Sequence, residues 1–224
     1  MGETSKPSGE RGRRRSERSH QAIVAATREL LVERGYPDVT IEAIAARAGV
    51  GKQTIYRWWP SRAALVLEAY LSSSDVVAPP AAGRTVREDV RALLGWLIAV
   101  LAEPTGGHVV AGLVGDIQHD ADLAEGFHRD VVPARREPML AALERGRERG
   151  EIRADANLEL AVDALHGAVF YRLLLSGETL DDNFASRLAD HLLEGLASRS
   201  EGPHALDAPL VELLSDHLHP MDDR

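Results

Sequence analysis

Six consecutive residues, Lys52 to Arg57, carry five side chains able to read a nucleic acid: Lys52, Gln53, Thr54, Tyr56 and Arg57. Glutamine can bond an adenine edge through two hydrogen bonds, Lys or Arg can reach guanine O6 and N7, Thr can touch a thymine methyl, and Tyr can bond a phosphate oxygen. The preceding turn, Gly49-Val50-Gly51, has little bulk, so a second short helix can cross a first there, with Ala45, Val50 and Ile55 packing the corner. This spacing describes a helix-turn-helix whose chemistry is recognition of base edges and phosphates.

Other groupings point to weaker chemistry. Gly51-Lys52 invites a phosphate-loop reading, but that loop needs Ser or Thr after the Lys and Gly five residues before Gly51, where this chain has Gln53 and Ala46. Asp116, His119 and Asp120 fall at i, i+3 and i+4, the spacing of three metal ligands on one helix face, and equally that of an ordinary polar helix end. We take the second reading. Arg13, Arg14 and Arg15 read either as an arm for the minor groove or as a solvated tail. Trp59, just before Pro60, reads as a core anchor rather than a base-stacking platform. No His-Glu-x-x-His pattern, serine elbow or catalytic carboxylate pair stands out, so no enzyme, cofactor or metal is expected.

The charge distribution agrees with a nucleic-acid-binding head. Residues 1–62 carry 12 Lys and Arg against 7 Asp and Glu, while the remainder carries 14 against 28, so the net −9 conceals a basic module joined to an acidic one. Phosphate neutralisation supplies much of the affinity for DNA, and a basic segment provides it. Hydrophobic residues make up 44% of the 224 and aromatics only 4%, a balance that favours an aliphatic, alanine-rich helical core. With no cysteine there are no disulfides or thiolate sites. The basic stretch Arg11 to Arg18 leads into Ser19, His20 and Gln21 rather than an apolar segment, and the longest apolar run, Leu93 to Ala102, is too short to span a bilayer. A cytoplasmic protein without a membrane partner is expected.

The elements that would position the motif are all helical. Residues 1–18 are polar and expected to be disordered. From Ser19, Ile23, Ala26, Thr27, Leu30 and Leu31 recur at helical spacing up to Gly35 and Pro37. Thr40 is an N-cap for a short helix that ends at Gly49, and Ser61 caps the helix that follows Pro60. Residues 19–71 thus form a three-helix head with its connection onward. A Ser/Pro/Gly-rich loop follows from Ser72 to Gly83, and helical patterns resume at Val86–Leu101, Val109–Ile117, Ala121–Arg149, Leu158–Leu175 and Phe184–Ala197. Pro133 and Pro138 should bend or break the third of these near Val132. Residues 72–200 read as a helical bundle and 201–224 as a tail with one short helix over Leu210–Leu218. The predicted fold is all-α.

The run Thr40-Ile-Glu-Ala-Ile-Ala-Ala-Arg-Ala-Gly-Val-Gly-Lys-Gln-Thr-Ile-Tyr-Arg-Trp-Trp-Pro-Ser-Arg-Ala-Ala-Leu65 resembles the N-terminal domain of the TetR family of bacterial transcriptional regulators. The resemblance implies that Thr40 caps the first motif helix and bonds a phosphate, that Lys52 to Trp58 lie in the major groove, and that Tyr56 and Arg62 hold the DNA backbone. Two positions depart from the family pattern. Gly51 stands where Ser is frequent, which removes a side-chain cap, and Trp58 stands where His or a cation is frequent. The resemblance also implies that the last two long helices pack against a symmetry mate as a four-helix bundle, with Leu173, Leu188 and Leu192 read either as interface candidates or as ordinary intrachain core.

The expected function is a homodimeric, sequence-specific DNA-binding regulator, a repressor of a near-palindromic operator released by a small molecule. The rival is an all-α small-molecule-binding or enzyme domain whose basic head binds some acidic partner. For the effector pocket the large side chains are Trp96, Phe127, Met139, Phe170 and Tyr171, with His128 and His166 as polar contacts; the other reading is that the aromatics pack on one another and His166 is a satisfied core histidine. The implied ligand is largely apolar, and the acidity of this domain disfavours a strongly anionic one.

Overall fold

In the computed structural model, residues 8–73, 78–80 and 83–197 are described. Their helices are α1 (Ser8–Arg34), α2 (Ile41–Ala48), α3 (Lys52–Tyr56), α4 (Arg62–Leu71), α5 (Val86–Ala102), α6 (Pro104–Asp116), α7 (Ala121–Glu148), α8 (Leu158–Tyr171) and α9 (Asp182–Leu196), with a π-helical turn over Arg172–Ser176 after α8. No single helix among the described residues is long and apolar enough to cross a membrane.

Capping sets where many of these helices start. The side chains of Thr40, Ser61, Thr85, Asp120, Asn157 and Asp181 each accept from the backbone N–H three residues on, satisfying a donor that the helix itself leaves free. Gly49 closes α2 at φ 66°, a left-handed conformation that glycine adopts without steric cost. In the head, α1 packs across α2 and α4 around Ile23, Leu30, Ile44, Ile55 and Leu65, all fully buried. Behind it α5 is the central helix of the larger bundle, packed on α9, α7 and α6. Salt bridges from Arg87 and Arg91 to Asp190 fasten α5 to α9.

Two expectations are corrected. Helix α1 begins at Ser8, where disorder through residue 18 was expected. Nucleation is the costly step in helix formation, and the packed turns from Ile23 onward let a Glu- and Arg-rich stretch extend backwards at little cost. Helix α7 also runs unbroken through Pro133 and Pro138. Each proline removes a ladder donor, but Phe127, Val131, Met139, Ala142 and Leu143 are buried along one face on both sides of them, and that packing holds the helix together. The short helix expected over Leu210–Leu218 lies outside the described residues.

Candidate functional site

The head presents α3 to solvent because a single residue anchors it. Ile55 is fully buried, while Lys52, Gln53, Tyr56 and Arg57 are exposed and Thr54 is half-buried. Gly51 precedes α3 in extended backbone without a side-chain cap, as its lack of a side chain dictates. Upstream, the exposed Thr40 accepts from the Ala43 N–H at 3.2 Å, and Val50 N–H returns to the Ala45 carbonyl at 3.0 Å to close the turn. Trp59 is buried, as expected of an anchor, and donates through Nε1 to Glu68 at 2.7 Å, while His20 of α1 stacks on it. Trp58 faces outward, with Arg57 beside its ring.

Not every basic side chain of the head is free for DNA. Lys52 Nζ lies 2.9 Å from Glu42, which holds that carboxyl below its usual range and raises the lysine. Arg47 is bound to Glu29 and Glu33 of α1. Arg62, expected on the DNA backbone, is turned inward. Its guanidinium donates to the Tyr36 and Val39 carbonyls at 2.8 and 3.2 Å, reaches Asp116 of α6 at 3.4 Å and lies 4.3 Å over the Tyr36 ring. The turn between α1 and α2 leaves carbonyls without ladder donors, and a planar fork of N–H groups satisfies them. Tyr36 itself is buried and donates to Asp116 at 2.5 Å, with its pKa raised by desolvation and by that bond. Its ring lies so close to Gly112 of α6 that a Cβ there would sit 2.2 Å from it. Tyr36, Arg62, Gly112 and Asp116 therefore lock head to bundle.

Asp116 is thus a structural partner and Asp120 the N-cap of α7, while His119 is exposed. Among the described residues no cluster has the makings of a metal site.

Inside the bundle is a cavity of about 150 Å³. Its apolar wall includes Leu97 and Leu101 of α5, Val110 of α6, Phe127 and Val131 of α7, and Phe170 of α8. Its polar groups are Tyr70 of α4, Arg135, Arg136 and His166. Of the seven residues expected around an effector, Phe127, His166 and Phe170 line this cavity. The other four do not line it: His128 and Tyr171 each follow a lining residue by one position, a rotation that turns them into solvent. Met139 is packed in the core, and Trp96 stands behind Arg135, whose guanidinium lies 4.6 Å over its ring. Sequence reasoning missed Arg135 and Arg136, because apolar periodicity treats arginine as surface, and Tyr70, because it lies on the head helix α4. The lining holds two arginines and no carboxylate, so its charge differs in sign from that of the domain as a whole. His166 contacts the Val162 carbonyl through Nδ1 at 2.9 Å, and burial first, with Arg136 and Arg135 adding to it, keeps the imidazole below its usual pKa.

Leu173, Leu188 and Leu192 are half-buried against the chain's own core. The large apolar side chains that α8 and its π-turn leave in solvent are Leu160, Tyr171, Leu174 and Leu175.

Residues 23–69 match the family model for bacterial regulatory proteins of the tetR family, and residues 79–192 match the tetracyclin repressor-like C-terminal domain. The chain belongs to the TetR family. Its helix-turn-helix makes it a DNA-binding transcriptional regulator. It is 35% identical to the uncharacterized HTH-type transcriptional regulator YdeS of Bacillus subtilis, an alignment spanning 85% of this chain and 96% of that one. It is 31% identical to the DNA-binding transcriptional repressor TetR of Mycobacteroides abscessus over 80% of this chain and 94% of that protein. Among solved structures, the TetR family transcription regulator SCO0332 superposes with a TM-score of 0.66 at 35% identity, covering 80% of this chain and 99% of that one. Thermus thermophilus FadR, solved with lauroyl-CoA, shares the TetR fold at a TM-score of 0.63 and 21% identity, covering 83% and 100%.

Proposed function

We propose that this TetR-family regulator is a homodimeric repressor that reads a near-palindromic operator through α3 and releases it when a small molecule fills the bundle cavity. The observation that carries this is the sharing of elements between cavity and head. Tyr70, at the end of the head helix α4, is part of the cavity wall and is held by Arg135 at 2.7 Å. Helix α6 contributes Val110 to the same wall and, two and six residues on, presents Gly112 and Asp116 to Tyr36 and Arg62. An occupant that pushes on either helix shifts the head, and a ligand that favours the wrong spacing of two heads weakens DNA binding by linkage.

On the DNA side, Gln53 and Lys52 read base edges, Thr54 flanks them, and Thr40, Tyr56 and Arg57 hold phosphates. Lys52 exchanges Glu42 for the nucleic acid on binding. Arg62 is left out of this interface because its donors are committed within the protein. The repressor name of the M. abscessus relative and the acyl thioester bound by T. thermophilus FadR support a ligand-released repressor. The cavity is a binding site in this mechanism, no residue takes a catalytic role, and the protein works in the bacterial cytoplasm with the chromosome. Selection of genomic fragments by the purified protein in excess competitor DNA tests it. An inverted repeat should emerge, and its absence from every selected pool would overturn operator recognition.

A further inference from the structure

Arg135 is the most unusual charge in the described structure. Its side chain projects from the middle of α7 into the cavity wall, and only 9% of the residue is exposed. Nη2 donates to the Tyr70 hydroxyl at 2.7 Å, and the Trp96 ring lies 4.6 Å from the guanidinium carbon. Nη1 is buried with no hydrogen-bond partner. No carboxylate pairs with Arg135 among the described residues, although nearby arginines are paired: Arg136 with Glu159 and Asp163, Arg145 with Asp89. A buried ion without counter-ion or full hydrogen bonding is a large cost to a fold, one that a chain keeps for a purpose.

We infer that Arg135 is the anchor for the carboxylate of a small monoanionic effector whose apolar body occupies the cavity beside Phe127 and Phe170. The charge arithmetic favours a single negative charge. Arg136 is already neutralised by two carboxylates, and His166 is held neutral by burial, which leaves one uncompensated positive charge in the lining. The free Nη1 supplies a charge-assisted donor. Tyr70 supplies a second, since its oxygen accepts from Arg135 and its own hydrogen is left to donate. A carboxylate, with two oxygens in one plane, takes both. At about 150 Å³ the space is of the size that holds a benzene ring in an engineered apolar cavity, so the body is one ring or a short alkyl chain. The engagement of Tyr70 then gives the ligand a direct hold on α4.

This inference rests on the cavity being the effector site, and the experiment separates the two. Phenylacetate and hexanoate, each against its uncharged amide, are titrated calorimetrically into the full-length protein without DNA, and the same compounds are then added to the protein-operator complex. The acids should bind at least about tenfold tighter than the amides, the scale of a charge-assisted hydrogen bond in a buried site. In Arg135→Met, which keeps the stem and removes the charge, the difference should vanish while the thermal midpoint without ligand stays level or rises. Should that variant fail to fold, the acid-to-amide ratio in the unaltered protein decides alone. Amides binding as tightly as acids, inorganic phosphate binding tighter than either acid, or no binding of either acid at millimolar concentration overturns the carboxylate anchor. Acids that bind through Arg135 yet leave the operator complex intact confirm the anchor and overturn the release mechanism instead.

Discussion

At the scale of single residues, two arginines show how position on a helix decides role. Arg57 is exposed beside Trp58 at the end of α3, whereas Arg62, five residues on, has its fork filled by carbonyls and Asp116. Arg57→Ala should weaken binding to all DNA sequences alike and reduce the dependence of affinity on salt by about one ion, whereas Gln53→Ala should relax sequence preference, at about 1–3 kcal/mol per half-site. Arg62→Met should instead lower stability by about 1–3 kcal/mol, because it leaves part-buried carbonyls unmet, and leave the salt slope unchanged. Salt titrations of operator binding alongside thermal melts distinguish these; a reduced salt slope in Arg62→Met would return that residue to the phosphates. His166 adds a pH effect. Its folded pKa lies below the ordinary 6.5, so the unfolded chain takes up the proton first, and its contribution to stability is full above about pH 6.5 and lost as the pH falls below it. His166→Gln should flatten that acid branch of the melting profile; an unchanged branch would assign it to other groups. The exposed polar face of α3 was legible because side-chain type and the Gly-rich turn define it locally. Arg62 and Arg135 were not, since a sequence shows an arginine's chemistry but not which partner 54 or 65 residues away completes it.

Among elements, helix existence and many starts were written in caps and periodicity, while continuity was not. Thr40 and Ser61 announced α2 and α4 by a local hydrogen bond, and the structure has those bonds. Pro133 and Pro138 announced a break that α7 does not make, because its buried face is long-range packing that no local signal encodes. The contact of α6 with the head was equally silent in the sequence: Gly112 is simply a glycine in an apolar helix until Tyr36 is seen against it. Gly112→Ala tests this contact. The added methyl would meet the ring at 2.2 Å, so the ring must swing away from Asp116, at about 1–3 kcal/mol in stability. If the Tyr36 lock couples cavity to head, this variant should also bind operator more weakly before any effector is added. A stable variant with unaltered operator affinity would show that α6 transmits nothing through Tyr36.

For the whole molecule, the proposed dimer requires a surface that brings two heads to one operator. Leu188, an interface candidate from the family resemblance, is half-buried against the chain's own core, so a charge there would disturb intrachain packing as well as any interface. The exposed stripe is different. Leu160 and Tyr171 lie eleven residues apart, three helical turns along one face of α8, and Leu175 continues that face beyond the π-turn. Apolar side chains this exposed and aligned mark an interaction surface, and a two-fold axis through α8 and α9 would bury the stripe against its own copy, leaving the heads at the far end to span successive major grooves. Tyr171→Asp combined with Leu175→Asp places like charges across that axis without touching the buried core. By sedimentation at micromolar concentration the variant should be a folded monomer, with normal helical content and with operator affinity reduced to that of a single half-site. A folded dimer in the variant would move the axis off this stripe, and a variant that is monomeric yet binds the full operator as tightly as before would show that the two heads do not read it together.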